Sequence, residues 1–296
     1  MTSTVVLVGG SQGLGLATAR LLAASGRRVI ATGRDLSAFT DADRQAGIEP
    51  VALDLGALSN VDAFVAGLSE RGIERVDVLL GNAGAQSRDR RWTADGYEMT
   101  VGVNHLAAMR LVDRIAPLMP AGGRVVLTAS GTHNPDEVKN VPPALEEATL
   151  DALLHPDAPA GMRDGLQRYA TSKLLMVRCV PFLARALAEQ GITVNAFDPG
   201  LMPGTGLARD QGGLAQALFR VLTPLLLLAP GAHRVSTSAR HLADLATSPR
   251  YERMSGAYVV DDLPSGTSIA SHDLAAGQRL YDDTLRVIEA TTLSGH

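Results

Sequence analysis

From Thr4 to about Asp198, short runs that are apolar on both faces alternate with longer stretches of helical periodicity. A strand with two apolar faces has to be covered on both sides, so this alternation confines the chain to a parallel sheet with helices above and below it. Thr4-Val-Val-Leu-Val8 is the first such run; 28–32, 50–53, 76–80, 123–128 and 192–197 follow, and 256–260 can add a seventh. The stretch 14–24 carries apolar residues at helical spacing and closes at Ser25-Gly26, a stop signal. Right-handed crossovers then make the sheet doubly wound. No repeat or low-complexity linker divides the chain, which predicts one α/β domain over 1–296. Two stretches break the rhythm: 131–167, rich in proline with a short helix expected at 144–154, and 201–232, rich in Gly and Leu. Both follow the carboxyl ends of strands, the rim where open α/β sheets bind ligands, and are read as insertions forming the substrate rim.

Charge and composition remove several classes. With 27 Lys+Arg against 31 Asp+Glu the net charge is −4, and no basic run offers a nucleic-acid footprint. The single Cys179 excludes an internal disulfide and a Cys-based metal cluster, and its helical setting predicts an inert thiol. The 7 histidines lack paired ligand spacing, so no metal site is expected. The apolar run 221–229 is broken by Pro224 and is too short to span a bilayer. Without a secretory pattern at the N-terminus, a cytoplasmic location is expected.

After the first strand the chain reads Gly9-Gly-Ser-Gln-Gly-Leu-Gly15. Glycines at a strand-to-helix turn let a pyrophosphate approach the backbone, and the helix N-terminus presents free N–H groups. Gly9, Ser11, Gln12, Gly13, Leu14 and Gly15 are therefore candidate contacts to a dinucleotide. The second strand ends Ala31-Thr-Gly-Arg-Asp35, with Gly33 where an acid would hold ribose hydroxyls and Arg34 next. A guanidinium suits a 2′-phosphate, which favours NADP(H) over NAD(H); a solvated surface arginine is the alternative. Asp54, with Leu55 after it, can meet the adenine amino group or cap the next helix, although Ser59 and Asn60 are better placed as caps.

Tyr169-Ala-Thr-Ser-Lys173 puts a phenol and an ammonium on one helical face. A free phenol, with a pKa of about 10, is a poor acid–base catalyst at neutral pH, and a nearby positive charge should lower it. Ser130 ends the fifth strand and can hydrogen-bond a carbonyl oxygen; Asn104 lies in the helix after the fourth.

Together these features resemble the short-chain dehydrogenase/reductase family over nearly the whole chain. The resemblance implies a Rossmann-type fold with Asn104, Ser130, Tyr169 and Lys173 as the catalytic set. It also implies that Asn82-Ala83-Gly84 and Pro199-Gly200 border the cofactor. The segment 93–106, the long separation of Ser130 from Tyr169 and the segment 199–207 are similar to the retinol dehydrogenase and protochlorophyllide reductase-like branch. Val8 replaces the usual threonine before the first glycine, Gly81 replaces the first of two asparagines, and Gly204 stands where a threonine contacts the nicotinamide, leaving Thr205 to substitute.

The expected activity is NADP(H)-dependent interconversion of a carbonyl and an alcohol on a bulky apolar small molecule, with ketone reduction favoured. The alternatives are reduction of an enone-type C=C bond by the same Tyr169 and Lys173, or a catalytically silent NADP-binding regulator. The leucine-rich stretch 214–228 is a lid, core or interface, and Trp92, Tyr97 and Phe219 are the aromatics available for stacking. By resemblance, the helices around 104–119 and 169–189 would pair subunits in a homodimer or homotetramer.

Overall fold

The computed structural model describes residues 2–135, 143, 149–157, 162–202, 233–268 and 272–294. Among these residues the strands β1 (Thr4–Val8), β2 (Arg28–Gly33), β3 (Ile48–Ala52), β4 (Val78–Gly81), β5 (Arg124–Thr128), β6 (Thr193–Asp198), β7 (Tyr258–Val260) and β8 (Leu263–Pro264) form one sheet. Its order is β3-β2-β1-β4-β5-β6-β7-β8. The first seven are parallel and β8 returns antiparallel on β7, one short strand beyond the sequence expectation. The chain reverses direction across the sheet between β1 and β4, and this opens the crevice in which such sheets bind ligands.

Among the described residues the α-helices are α1 (Gly13–Ala24), α2 (Asp41–Gln45), α3 (Leu58–Glu70), α4 (Met99–Val101), α5 (Ala108–Ile115), α6 (Leu150–Leu154), α7 (Met162–Ala186), α8 (Val235–Thr247) and α9 (Leu274–Ser294). A π-helical stretch, Gly102–Ala107, joins α4 to α5. The period of two along β1 explains its double apolar character. Val5 and Leu7 pack with Leu22 of α1 and Leu242 of α8, while Val6 and Val8 pack with α3, α5 and α7 on the other face.

Two local expectations are corrected. The N-cap position of α3 is Ala57, with no side-chain cap; Asp95 reaches in from a distant loop to accept from Leu58 N at 2.9 Å. Neither Ser59 nor Asn60 serves as the cap, because both lie inside the first turn of the helix. The larger correction is α9, a helix absent from the sequence expectation. It lies across α7 and α5, with Tyr281 against Phe182 at 5.5 Å between ring centroids. Gly277 faces the Arg178 carbonyl so closely that a Cβ would stand 2.6 Å from it. Thr284 and His105 share a buried hydrogen bond of 2.8 Å. Helices α5 and α7, which resemblance assigns to subunit pairing, are thus also packed by the chain's own α9.

Of the expected rim, α6 and the 3-10 turn Gly131–His133 are described, whereas 136–142, 144–148, 158–161 and 203–232 lie outside the described residues. Thr205, Phe219 and the stretch 214–228 fall in that last range. Among the described residues no helix is long and apolar enough to cross a membrane.

Candidate active site

The glycine turn is shaped by strand β4 beside it. Gly9 has φ +83°, and a Cβ there would lie 2.7 Å from the Ala83 backbone. Asn82 Nδ2 donates to the Gly9 carbonyl at 2.9 Å, so the Asn82-Ala83-Gly84 element buttresses the turn. A Cβ on Gly15 would run into the same carbonyl. The hydroxyl missing at Val8 is supplied from β2, where Thr32 Oγ1 accepts from Gly9 N at 3.3 Å. Leu14 is buried beneath the turn, and α1 has Gln12 at its N-cap position, with no side-chain cap and no acid in its first turn. That N-terminus suits an anion.

At the end of β2, a Cβ on Gly33 would collide with Ser11 Oγ. Ser11 fills the space an acidic side chain would need. Asp35 is turned away from this role: its carboxylate accepts from Ser37 N at 2.8 Å, which holds it below the usual range. Arg34 is exposed and, with Leu53, Asp54, Asn60 and Phe64, lines a groove of about 580 Å³. Asp54 Oδ1 accepts from Gly56 N at 3.0 Å, and Leu55 is half-buried against the core.

Asn104, Ser130, Tyr169 and Lys173 come together. Asn104 sits in the π-helical stretch, fully buried; its Oδ1 accepts from Ala85 N at 2.6 Å and its Nδ2 donates to Ala85 O and to Ser172 Oγ, both at 2.9 Å. Gly84 adjoins both Asn104 and Lys173: a Cβ there would lie in ordinary contact, 3.6 Å, with Asn104 Oδ1 and Lys173 Nζ. Lys173 Nζ donates to the Thr128 carbonyl at 2.7 Å and lies 5.6 Å from the centre of the Tyr169 ring. Ser130 stands beside the Tyr169 phenol, near enough to influence its proton.

The electrostatics differ from the sequence expectation. Burial pushes the Tyr169 phenol up to about 12, with the neighbouring Ser130 hydroxyl working against it. Burial also brings the Lys173 ammonium down to about 8, opposed by the Asp198 carboxylate. The expected lowering of the phenol by Lys173 is overturned because both groups are enclosed and the ammonium is directed at Thr128. Cys179 is buried and its thiol is pushed up to about 12, as suits an inert side chain.

Pro199-Gly200 follows β6, with Gly200 N donating to Asp198 Oδ1 at 2.9 Å and Ser238 Oγ donating to Pro199 O at 2.8 Å. His233 N donates to Leu201 O at 2.8 Å, bringing the two ends of the 201–232 insertion together. Trp92 is 47% exposed, whereas Tyr97 is engaged by Thr291 and His155. Sequence reasoning missed Asp198, His133 and Tyr258, which are buried around Ser130. The available signals were a carboxylate just before Pro-Gly and a histidine three residues after the serine.

Comparison with known proteins fits this geometry. A family model described as short chain dehydrogenase matches residues 3–139. The chain is 32% identical to protochlorophyllide reductase B, chloroplastic, of Oryza sativa subsp. japonica over 285 residues, covering 86% of this chain and 68% of the relative. That relative is chloroplastic by name and lends no support to the cytoplasmic expectation. Among solved structures, an uncharacterised protein from Mycobacterium paratuberculosis is 25% identical with a TM-score of 0.70, covering 96% of this chain and 93% of that one. A blue fluorescent protein from a metagenomic library, in complex with NADPH, is 25% identical with a TM-score of 0.63, covering 88% and 96%.

Proposed function

The chain belongs to the short-chain dehydrogenase/reductase family, and from that premise we propose that it interconverts a carbonyl and an alcohol on a bulky apolar substrate with NADP(H), chiefly as a ketone reductase. The observation that carries this reading is the buried Tyr169 phenol beside Ser130, with the Lys173 ammonium 5.6 Å from its ring centre.

The residues present suit a dinucleotide. Gly9, Ser11, Gln12, Gly13, Leu14 and Gly15, with the α1 N-terminus, would hold the pyrophosphate. Asp54 and Leu55 would meet the adenine, and Asn82, Ala83, Gly84, Pro199, Gly200 and Thr205 would border the nicotinamide. Arg34 in its groove, together with Ser11 in the place of an acid, supports NADP(H) over NAD(H). The NADPH bound by the blue fluorescent protein supports the same class. When bound, a nicotinamide supplies or accepts the hydride.

The remaining steps belong to the protein. Ser130 donates to the substrate oxygen as charge develops there. Tyr169, neutral well above pH 7, gives its Oη proton to that oxygen. Lys173 then faces the phenolate with its charge. Asn104 fixes the Ala85 and Ser172 contacts and positions a water for proton return. The insertions 131–167 and 201–232 bound an apolar substrate.

A second reading, reduction of a C=C bond, is favoured by the identity to a protochlorophyllide reductase. Loss of NADPH absorbance against a panel of apolar ketones, aldehydes and enones separates the two. Ketone turnover that disappears in Tyr169→Phe is the expected result. Enone-only turnover supports the second reading, and tight NADPH binding without any turnover refutes both.

A further inference from the structure

The catalytic set leaves one neighbouring cluster of buried polar groups without a task. His133 is fully buried and both of its ring nitrogens are engaged: Nδ1 lies 2.7 Å from the Ser130 carbonyl oxygen and Nε2 lies 2.5 Å from Thr267 Oγ1. A carbonyl oxygen can only accept, so Nδ1 carries the proton and Nε2 accepts from the threonine hydroxyl. Burial favours this same neutral ring.

The Ser130 carbonyl thus receives two donors from one residue, because His133 N also donates to it at 3.1 Å. On the side-chain end, Ser130 Oγ meets Thr132 Oγ1 at 3.1 Å. A one-turn 3-10 helix has poor internal hydrogen bonds. Here the turn is tied to a residue 134 positions away. Tyr258 packs tilted against the ring at 4.8 Å between centroids, donates to Asp198 Oδ2 at 2.5 Å, and so joins the ends of β5, β6 and β7.

We propose that His133 is a positioning residue for Ser130, its ring locking the serine's carbonyl, and with it the aim of the hydroxyl, to the Thr267 segment beyond β8. The role rests on Ser130 acting as donor to the substrate oxygen. It predicts loss of turnover without loss of cofactor affinity, because the glycine turn shares none of these contacts.

Asparagine keeps a donor near the Nδ1 position, and glutamine keeps an acceptor near Nε2. Benzil reduction with NADPH, run beside amide exchange over residues 129–133, reads the two variants apart. His133→Gln should lower kcat about 30-fold, with KM and NADPH affinity within about threefold, and should speed exchange. His133→Asn should retain most of kcat and protection. Equal behaviour of the two variants, or a loss carried by NADPH affinity, overturns the proposal. Ser130→Ala isolates the premise: full activity there removes the reading of Ser130 itself. An inactive Ser130→Ala with indistinguishable His133 variants removes only the positioning role. If either ring variant fails to accumulate folded, Thr267→Val takes its place. A loss of about fivefold in kcat alone is then expected, and an unchanged kcat counts against the proposal.

Discussion

At the carboxyl ends of β1, β2 and β4 the crevice is made by leaving side chains out: Gly9 against Ala83, Gly15 against the Gly9 carbonyl, Gly33 against Ser11. At the ends of β5, β6 and β7 it is made by enclosing polar groups that water would otherwise solvate: His133, Tyr169, Lys173 and Asp198. The first region is held by backbone fit, and its integrity and its binding capacity should fail together. In the second, burial works against the charged form of Lys173, so stability and turnover should part company.

The sharpest way to break this contrast is Lys173→Met. Turnover should fall by about a thousandfold or more. The fold, however, should gain stability at neutral pH. The native ammonium has its pKa lowered from 10.5 to about 8, so below that point it stays charged at the full cost of burial. Between those two values the unfolded chain holds a proton the native one has released, so native stability rises with pH and the advantage of the variant shrinks. An increase on the order of 2 kcal/mol at pH 7, read by urea unfolding, is expected. A variant less stable than the parent at pH 7 would remove the distinction between the regions.

Gly9→Ala probes the other side. Positive φ and a 2.7 Å approach to the Ala83 backbone should cost about 2–4 kcal/mol and lower NADPH affinity in the same variant. A fully stable protein that has lost only NADPH binding would break the link between fit and binding. The smallest effect is expected at the exposed Arg34. Arg34→Ala should reduce NADPH affinity about tenfold and leave NADH unchanged, as titration of each cofactor would show.

The sequence revealed what depends on local pattern. Alternating apolar runs announced β1 to β7 because Val5 and Val6 each meet a helix layer, and the glycine and Tyr–Lys spacings located both halves of the crevice. Distant partners left no such trace. The α9 helix carries an apolar face at helical spacing, Leu280, Tyr281, Leu285 and Ile288, but it stands outside the strand–helix alternation, and the surface it packs on and the Thr284–His105 bond lie far along the chain. The Thr267 anchor of His133 and the Asp95 cap of α3 are made by side chains far along the chain. The Tyr169–Lys173 spacing reported proximity but not enclosure, and enclosure reverses the direction in which the phenol moves.

The pH dependence of kcat for NADPH-driven ketone reduction tests most directly whether enclosure governs this pair. With Tyr169 neutral throughout the assay range and Lys173 titrating at about 8, turnover should be level at neutral pH and decline through that value as the ammonium is lost. A rate that stays level far beyond that point, or a phenol ionising near neutrality, would contradict the account.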